Sequence, residues 1–392
     1  MKGKISKKLA VIMVMMFMFS IIAGCGTKTA DKSDQKTIPV GINVELSGGA
    51  ATYGTDARDG ALLAIEQINA AGGILGMQLA PIVKDCKSTA DEAMSVSSAL
   101  VGEKIVAQIG PLTSGDVAGS TPIMMQNKIP LIAPAATNEK VTLDPTTGKV
   151  QDYIFRVCFI DPFQGTLMAQ FAADNLKAKN AVIYKDSSTD YAKGLADYFK
   201  KTFAAKGGTI VAEEGFVKDD RDFKAVLTKI KSLNPDFIYV PGYYQEVAPL
   251  IKQARDLGIT CAIGGSDGWV SDDLVKVAGA ANLNNTFLTT DFTAEDKDPK
   301  VVQFVGDFKT KYNKTPNSFN ALGYDAVQML AQAIKDAGAA DPVKVKDALA
   351  QIKDFVGVTG KMTIDANHNP IKAGIIIENV DGKQVMKTRI QP

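Results

Sequence analysis

Residues 38–74 read IPVGINVELSGGAATYGTDARDGALLAIEQINAAGGI. Ile38 to Val44 is a short apolar run that reads as a strand. Ala57, Ala61, Leu62, Ile65 and Ile68 then recur at helical spacing, and Gly72-Gly73 stops that helix. The unit repeats down the chain. A strand near Leu79–Val83 precedes a helix from Thr89 to Val101, and a strand at Ile105–Ile109 precedes a helix starting near Ser114. A further strand follows at Ile129–Ala133. Repeated βα units predict an α/β fold whose mostly parallel sheet is covered by helices on both faces.

The pattern then restarts. Strands at Ala181–Tyr184, Thr209–Ala212, Phe237–Val240 and Cys261–Ile263 alternate with helices at Tyr191–Lys206, Asp222–Ser232 and Gln245–Leu257. Helices near Val301–Tyr312, Tyr324–Ala337 and Val343–Ile352 come next, and a closing hairpin is expected from Met362–Ile364 and Gly374–Asn379. Two similar doubly wound lobes are therefore predicted, residues 38–157 with 290–355 and residues 158–289 with 356–392. A three-segment hinge is expected at Arg156–Asp161, Leu288–Phe292 and Phe355–Gly360, and three crossings favour bending of one lobe onto the other.

Composition narrows the function. Of 392 residues, 46% are apolar and 22% charged, enough for at least two globular cores. Lys+Arg 44 against Asp+Glu 43 leaves no basic field for nucleic acid. His368 is the single histidine, and HExxH, CxxC and P-loop motifs do not occur, so metal-dependent and Ser-His or Cys-His chemistry is not expected. No metal and no cofactor is called for, and the protein is expected not to be an enzyme.

The N-terminus reads as an address. Lys2, Lys4, Lys7 and Lys8 precede an apolar stretch from Leu9 to Ala23, short for a membrane span and laid out as a secretory signal. Ile22-Ala23-Gly24-Cys25 resembles the lipobox of bacterial lipoproteins. That resemblance implies cleavage after residue 24, acylation of Cys25 and a membrane anchor, with Gly26–Thr37 as a polar tether. Losing the four signal lysines would move the net charge from +1 to −3. Cys86, Cys158 and Cys261 then remain; one pair could bridge, but small buried hydrophobes are the plainer expectation.

In open α/β sheets ligands sit outside the carboxyl ends of the strands. The turns there are Leu46–Tyr53, Gly110–Gly115, Ala133–Thr137, Lys185–Tyr191, Pro241–Tyr243 and Gly264–Trp269. Several stretches are informative together: Leu46-Ser-Gly with Tyr53-Gly54, Ile68-Asn69 into Gly72-Gly-Ile74, Pro134-Ala-Ala-Thr137, Tyr191 with Gly194, Pro235-Asp-Phe, Gly242-Tyr243, and Gly264-Gly-Ser-Asp-Gly-Trp269. In order and spacing they resemble the type I periplasmic binding proteins, in the branched-chain amino-acid receptor subgroup of ABC importers.

The resemblance implies a site. Ser114 would give a hydroxyl, and the helix N-terminus beside it its amides, to the α-carboxylate of an amino acid. Thr137 would complete that clamp, and the Ala135 carbonyl, beside Ala136, would accept from the ammonium. Asp267 would pair with the ammonium from the second lobe, in place of the longer glutamate of compared receptors. Tyr53, Leu112, Tyr191, Tyr243 and Phe319 would form the side-chain pocket, with Trp269 narrowing it or capping its mouth. Thr113 occupies a position where some members carry a disulfide cysteine.

Each residue has a plainer reading alone: Ser114 an N-cap, Thr137 and Asp267 turn formers, the tyrosines core. His368, in Asp-Ala-Asn-His-Asn-Pro, reads as an exposed loop residue. The function the resemblance implies is a monomeric lipoprotein on the outer face of the cytoplasmic membrane that captures an aliphatic amino acid for a permease. A sensor of the same fold, or a receptor for another amino-acid-like or amide ligand, is the alternative.

Overall fold

A computed structural model describes residues 37–391. The signal segment, Cys25 and nearly all of the tether lie outside the described residues.

Chain order in the first part is β1 (Thr37–Val44), α1 (Ala51–Ala70), β2 (Gln78–Asp85), α2 (Ala90–Gly102), β3 (Ala107–Ile109), α3 (Ser114–Asn127), β4 (Leu131–Ala133) and β5 (Ile154–Arg156). These strands form one parallel sheet in the order β2-β1-β3-β4-β5. β1 is an interior strand between β2 and β3, and Ile38, Val40 and Ile42 are fully buried. Its apolar run is what a strand covered by helices on both sides requires. Thr89 and Thr113 cap α2 and α3, each side chain accepting a backbone N–H from the first turn.

The second part runs α4 (Asp161–Gln170), β6 (Asn180–Asp186), α5 (Asp190–Ala205), β7 (Thr209–Phe216), α6 (Lys224–Ser232), β8 (Phe237–Tyr239), α7 (Tyr244–Asp256), β9 (Ala262–Gly264), α8 (Asp272–Ala278) and β10 (Thr286–Thr290). The remainder is α9 (Pro299–Tyr312), α10 (Ser318–Ala337), α11 (Pro342–Leu349), β11 (Phe355–Gly357), β12 (Gly360–Ile364), β13 (Pro370–Ile371), β14 (Gly374–Val380) and β15 (Lys383–Ile390). A seven-stranded sheet has the order β15-β14-β10-β9-β8-β6-β7, parallel except where β14 pairs with β10 and β15. α9 and α10 return to the first lobe. There α1 and α10 touch backbone to backbone: a Cβ at Gly60 would lie 1.8 Å from the Asn320 carbonyl, and one at Gly323 2.1 Å from that of Ala57. Only glycine allows that approach.

Two expectations need correcting. Met362–Ile364 and Gly374–Asn379 are not a hairpin: β12 pairs with β11 and β13 in a separate three-stranded sheet, while β14 joins the large one. His368 is not an exposed loop residue. Its ring stacks on Phe155 at 4.0 Å, Nδ1 lies 3.1 Å from the Ile154 carbonyl, and burial lowers its pKa. These contacts hold the small sheet against the first lobe. Phe355–Gly360 forms β11 and its turn into β12 within that small sheet.

The three expected hinge segments meet at one side chain. Lys372, between β13 and β14, places its ammonium 2.8 Å from Asp291, which follows β10. It also donates to the Val157 carbonyl after β5 (3.0 Å) and to Thr359 Oγ1 (2.7 Å). Lysine and aspartate are both buried. Removing one member of a buried ion pair strands the other charge. Lys372→Met should therefore destabilise the protein by about 3–5 kcal/mol, read from urea unfolding; a loss below ~1 kcal/mol, the surface-pair value, would show that the node contributes little.

Candidate functional site

The turns at the carboxyl ends of β1, β3, β4, β6, β8 and β9 converge between the lobes. Tyr53, Leu112, Thr113, Ser114, Ala135, Tyr191, Tyr243, Asp267, Gly268 and Phe319 line one narrow cleft, closed down to the room of about one water.

The cavity has two chemically opposite ends. One is the N-terminus of α3. Thr113, not Ser114, is its N-cap, with Oγ1 accepting from Asp116 N. Ser114 is the first helical residue, and its hydroxyl instead accepts from Asn138 N at 3.2 Å. The first-turn amides of Ser114 and Gly115 have no intrahelical acceptor by position, and the helix dipole places positive potential there.

The other end is acidic. Asp267 Oδ1 accepts from Tyr191 OH (2.6 Å) and Gln164 Nε2 (3.0 Å), and Gln164 Oε1 in turn accepts from Asp267 N. Burial pushes the Asp267 carboxyl up to about 7, the charge of Asp291 adding to it. Burial likewise lifts Asp161 to about 8, with Asp267 a nearby like charge. Asp161 Oδ1 and Thr137 Oγ1 are buried with no hydrogen-bond partner among the described residues. Desolvation outweighs the Arg156 charge that acts on Asp161, and neither carboxyl is in an ion pair among the described residues.

Between the ends lies an aromatic wall. Tyr191 and Tyr243 stack at 5.1 Å, and Tyr53 packs on Phe319 at 4.5 Å. Tyr53 OH donates to the Gly268 carbonyl at 2.5 Å across the lobes. Lys140–Asp190 at 2.7 Å and Asn138 Nδ2 to the Asp190 carbonyl at 2.9 Å also bridge the lobes.

Three of the residues expected at the site do not line the cavity. Trp269 is fully buried in the core, its indole N–H donating to the Val240 carbonyl. It sits under Gly265, where a Cβ would strike its ring, so it neither narrows nor caps the pocket. Ala136 faces the core of the first lobe, and its carbonyl accepts from Arg156. Thr137 is fully buried behind Ala135 in sequence, its carbonyl accepting from Asp161 N. Conversely, Asp161 and Gln164 went unread. They sit one turn apart at the start of α4, and that i, i+3 spacing after Ile160 is the signal that could have placed them. Cys86, Cys158 and Cys261 are free thiols.

Two α/β lobes, three passages and a lined cleft define a bilobal solute-binding protein. A periplasmic binding protein family model matches residues 37–384. A leucine-, isoleucine-, valine-, threonine- and alanine-binding protein of Pseudomonas aeruginosa is 31% identical over 84% of this chain and 86% of its own. A Leu/Ile/Val-binding protein homologue of Brucella abortus is 32% identical over 93% and 95%. The crystal structure of a branched-chain amino acid transporter substrate-binding protein from Streptococcus pneumoniae, in complex with isoleucine, is 41% identical and superposes with a TM-score of 0.86 over 91% of this chain and 100% of that one. The chain belongs to the periplasmic binding proteins, type I, in their branched-chain amino-acid subgroup. It is a substrate-binding protein and not an enzyme, of an extracytoplasmic family.

A raised carboxyl pKa makes stability depend on pH. The protonated Asp267 contributes fully below its unfolded value near 4, and that contribution is lost as pH rises through about 7. Asp267→Asn has no proton to lose. Ligand-free, the variant should lose less stability than wild type between pH 5 and 9, by up to about 3 kcal/mol. Parallel pH–Tm curves for the two proteins would contradict the assignment.

Proposed function

We propose that the protein binds an aliphatic, branched-chain L-amino acid in the cavity between its lobes and delivers it to the transmembrane subunits of an ABC importer. The observation that carries this reading is the polarity of the cavity: a helix N-terminus and a serine at one end, the buried Asp267 carboxyl at the other. A zwitterion leaving water needs both charges met. Ser114 and the α3 amides would take the carboxylate. Asp267 and the Ala135 carbonyl, both lining the cavity, would take the ammonium. Leu112, Tyr53, Tyr191, Tyr243 and Phe319 would cover the side chain, each fully buried aliphatic group contributing about 1.5–3 kcal/mol.

The carboxylate clamp sits on the first lobe and the charged ammonium partner, Asp267, on the second, so ligand would favour the state in which the lobes meet. We assign residues 38–157 with 290–371 to one lobe and 158–289 with 372–391 to the other. Delivery to a permease rests on what the relatives' names say of them. Acylation of Cys25, a station on the outer face of the cytoplasmic membrane and a monomeric state complete the proposal, resting on the N-terminal sequence pattern and the family's extracytoplasmic habit.

The test is a ligand screen. After unfolding and refolding to strip bound solute, leucine, isoleucine or valine should raise Tm, as mass action requires of a native-state ligand. Stabilisation by a sugar, nucleotide or dicarboxylate alone would sink the reading. Asp267→Asn should weaken binding by about 2–5 kcal/mol in calorimetry. Affinity should also fall on the acid side. Ammonium needs the ionised carboxylate, so below about pH 7 the Kd should rise up to ~tenfold per unit; a flat profile from pH 5 to 8 would remove Asp267 from this role.

A further inference from the structure

Behind the α3 end of the cavity lies a buried cluster that touches no ligand-facing side of the pocket. Oxygens of Glu45 and Asp116 and the sulfur of Cys86 all lie within 4.8 Å of one another, and all three residues are buried. Glu45 follows β1. Its carboxyl accepts from Leu112 N (3.1 and 3.2 Å, one to each oxygen) and from Thr113 N (3.0 Å). Those amides belong to the turn that carries Ser114 and caps α3. Asp116 sits in the first turn of α3, and its Oδ2 receives no N–H or side-chain hydroxyl among the described residues.

Two carboxyl groups this close, in a pocket this dry, cannot both ionise without large repulsion. The unfilled acceptor on Asp116 and the Glu45 carboxyl beside it complete one another if a proton lies between them. We propose that Glu45 is a positioning residue for the carboxylate-binding turn, that it shares one proton with Asp116 so the pair carries a single negative charge, and that ligand affinity drops when that proton leaves. The second charge would appear beside the amides that receive the ligand's own carboxylate and would cancel their positive potential.

The surrounding charges support a held proton. Burial first, then Asp116, lifts the Glu45 carboxyl to about 8, and burial also raises Asp116. Cys86 is a neutral thiol, pushed up by burial and by both acids. Asp85, though partly desolvated, is held low by the Ser47 hydroxyl and the amides of Lys87, Leu46 and Ser47, so it adds negative charge from the neighbouring strand. From the second lobe, Lys218 is the cation that acts on Asp116, and Tyr243 is kept neutral by burial. One distant lysine does not neutralise two buried carboxylates.

This inference rests on the amino-acid reading of the cavity, and its test separates the two. Glu45→Gln keeps an oxygen for the Leu112 and Thr113 amides and offers Asp116 a permanent N–H. It should bind leucine or isoleucine as wild type does at pH 7. Between pH 7 and 9 the wild-type Kd should rise about tenfold more than the variant's. Titration of the ligand's own ammonium cancels in that comparison. Asp116→Asn removes the same second charge and should show the same flat profile. Glu45→Ala, which strands both amides, should weaken binding at every pH. The infrared difference between wild type and Glu45→Gln, without ligand, should show a protonated-carboxyl band at pH 7 that vanishes by pH 9.

Equal alkaline losses in wild type and Glu45→Gln, or an infrared difference without that band, would overturn the proposal. So would a Tm raised by Zn²⁺ or Cd²⁺ in wild type but not in Glu45→Gln, since the cluster would then hold a cation in place of the proton. Failure of every amino acid to bind would refute the cavity's proposed ligand, while the infrared difference would still decide whether the proton is there.

Discussion

A carboxylate taken out of water must find a positive partner or take a proton. That constraint organises the cleft. Asp267 and Asp161 sit where the lobes meet, screened from solvent, and their acidity is weakened by that burial. Gln164 and Tyr191 hold Asp267 in place without neutralising it. At the far end of the cavity, α3 presents its amide end and Ser114. Rings lie between the two ends, which line the same cavity.

Much of the fold was legible in sequence because it is built from local periodicity. Strands such as Ile38–Val44 are apolar but for Asn43, and helices such as α5 and α7 keep one apolar face, so order and type follow from spacing alone. The C-terminal region was not legible in this way. β12 and β14 look like a hairpin because they are close in sequence, but their partners are β11, β13, β10 and β15. Strand pairing is decided by tertiary neighbours. His368 shows the same limit: five polar or small residues around it suggested a loop, and Phe155, more than two hundred residues earlier, gives it a stacking partner.

The site divides along the same line. The resemblance named turn residues, and ten side chains or backbones from those turns and α10 line one cavity. Trp269 was misplaced because a tryptophan in a glycine-rich turn reads as a surface feature, whereas Gly265 leaves room for its ring to enter the core. Asp161 was hidden in a segment read as a connection between lobes, and Glu45 looked like one polar residue ending a strand. Neither a buried carboxyl's partner nor its missing partner is written in its neighbours in sequence.

The node at Lys372 has a mechanical corollary. Three chain segments that connect two bodies could each flex on its own, allowing twist, slide and tilt. Here one ammonium bonds to Val157, Asp291 and Thr359 together. A slide of one body past the other would stretch all three bonds at once, whereas a swing about the nitrogen leaves their lengths nearly constant. The side chain thus acts as a pivot pin, and the freedom left to the mouth of the cleft is mainly rotation about a single buried point.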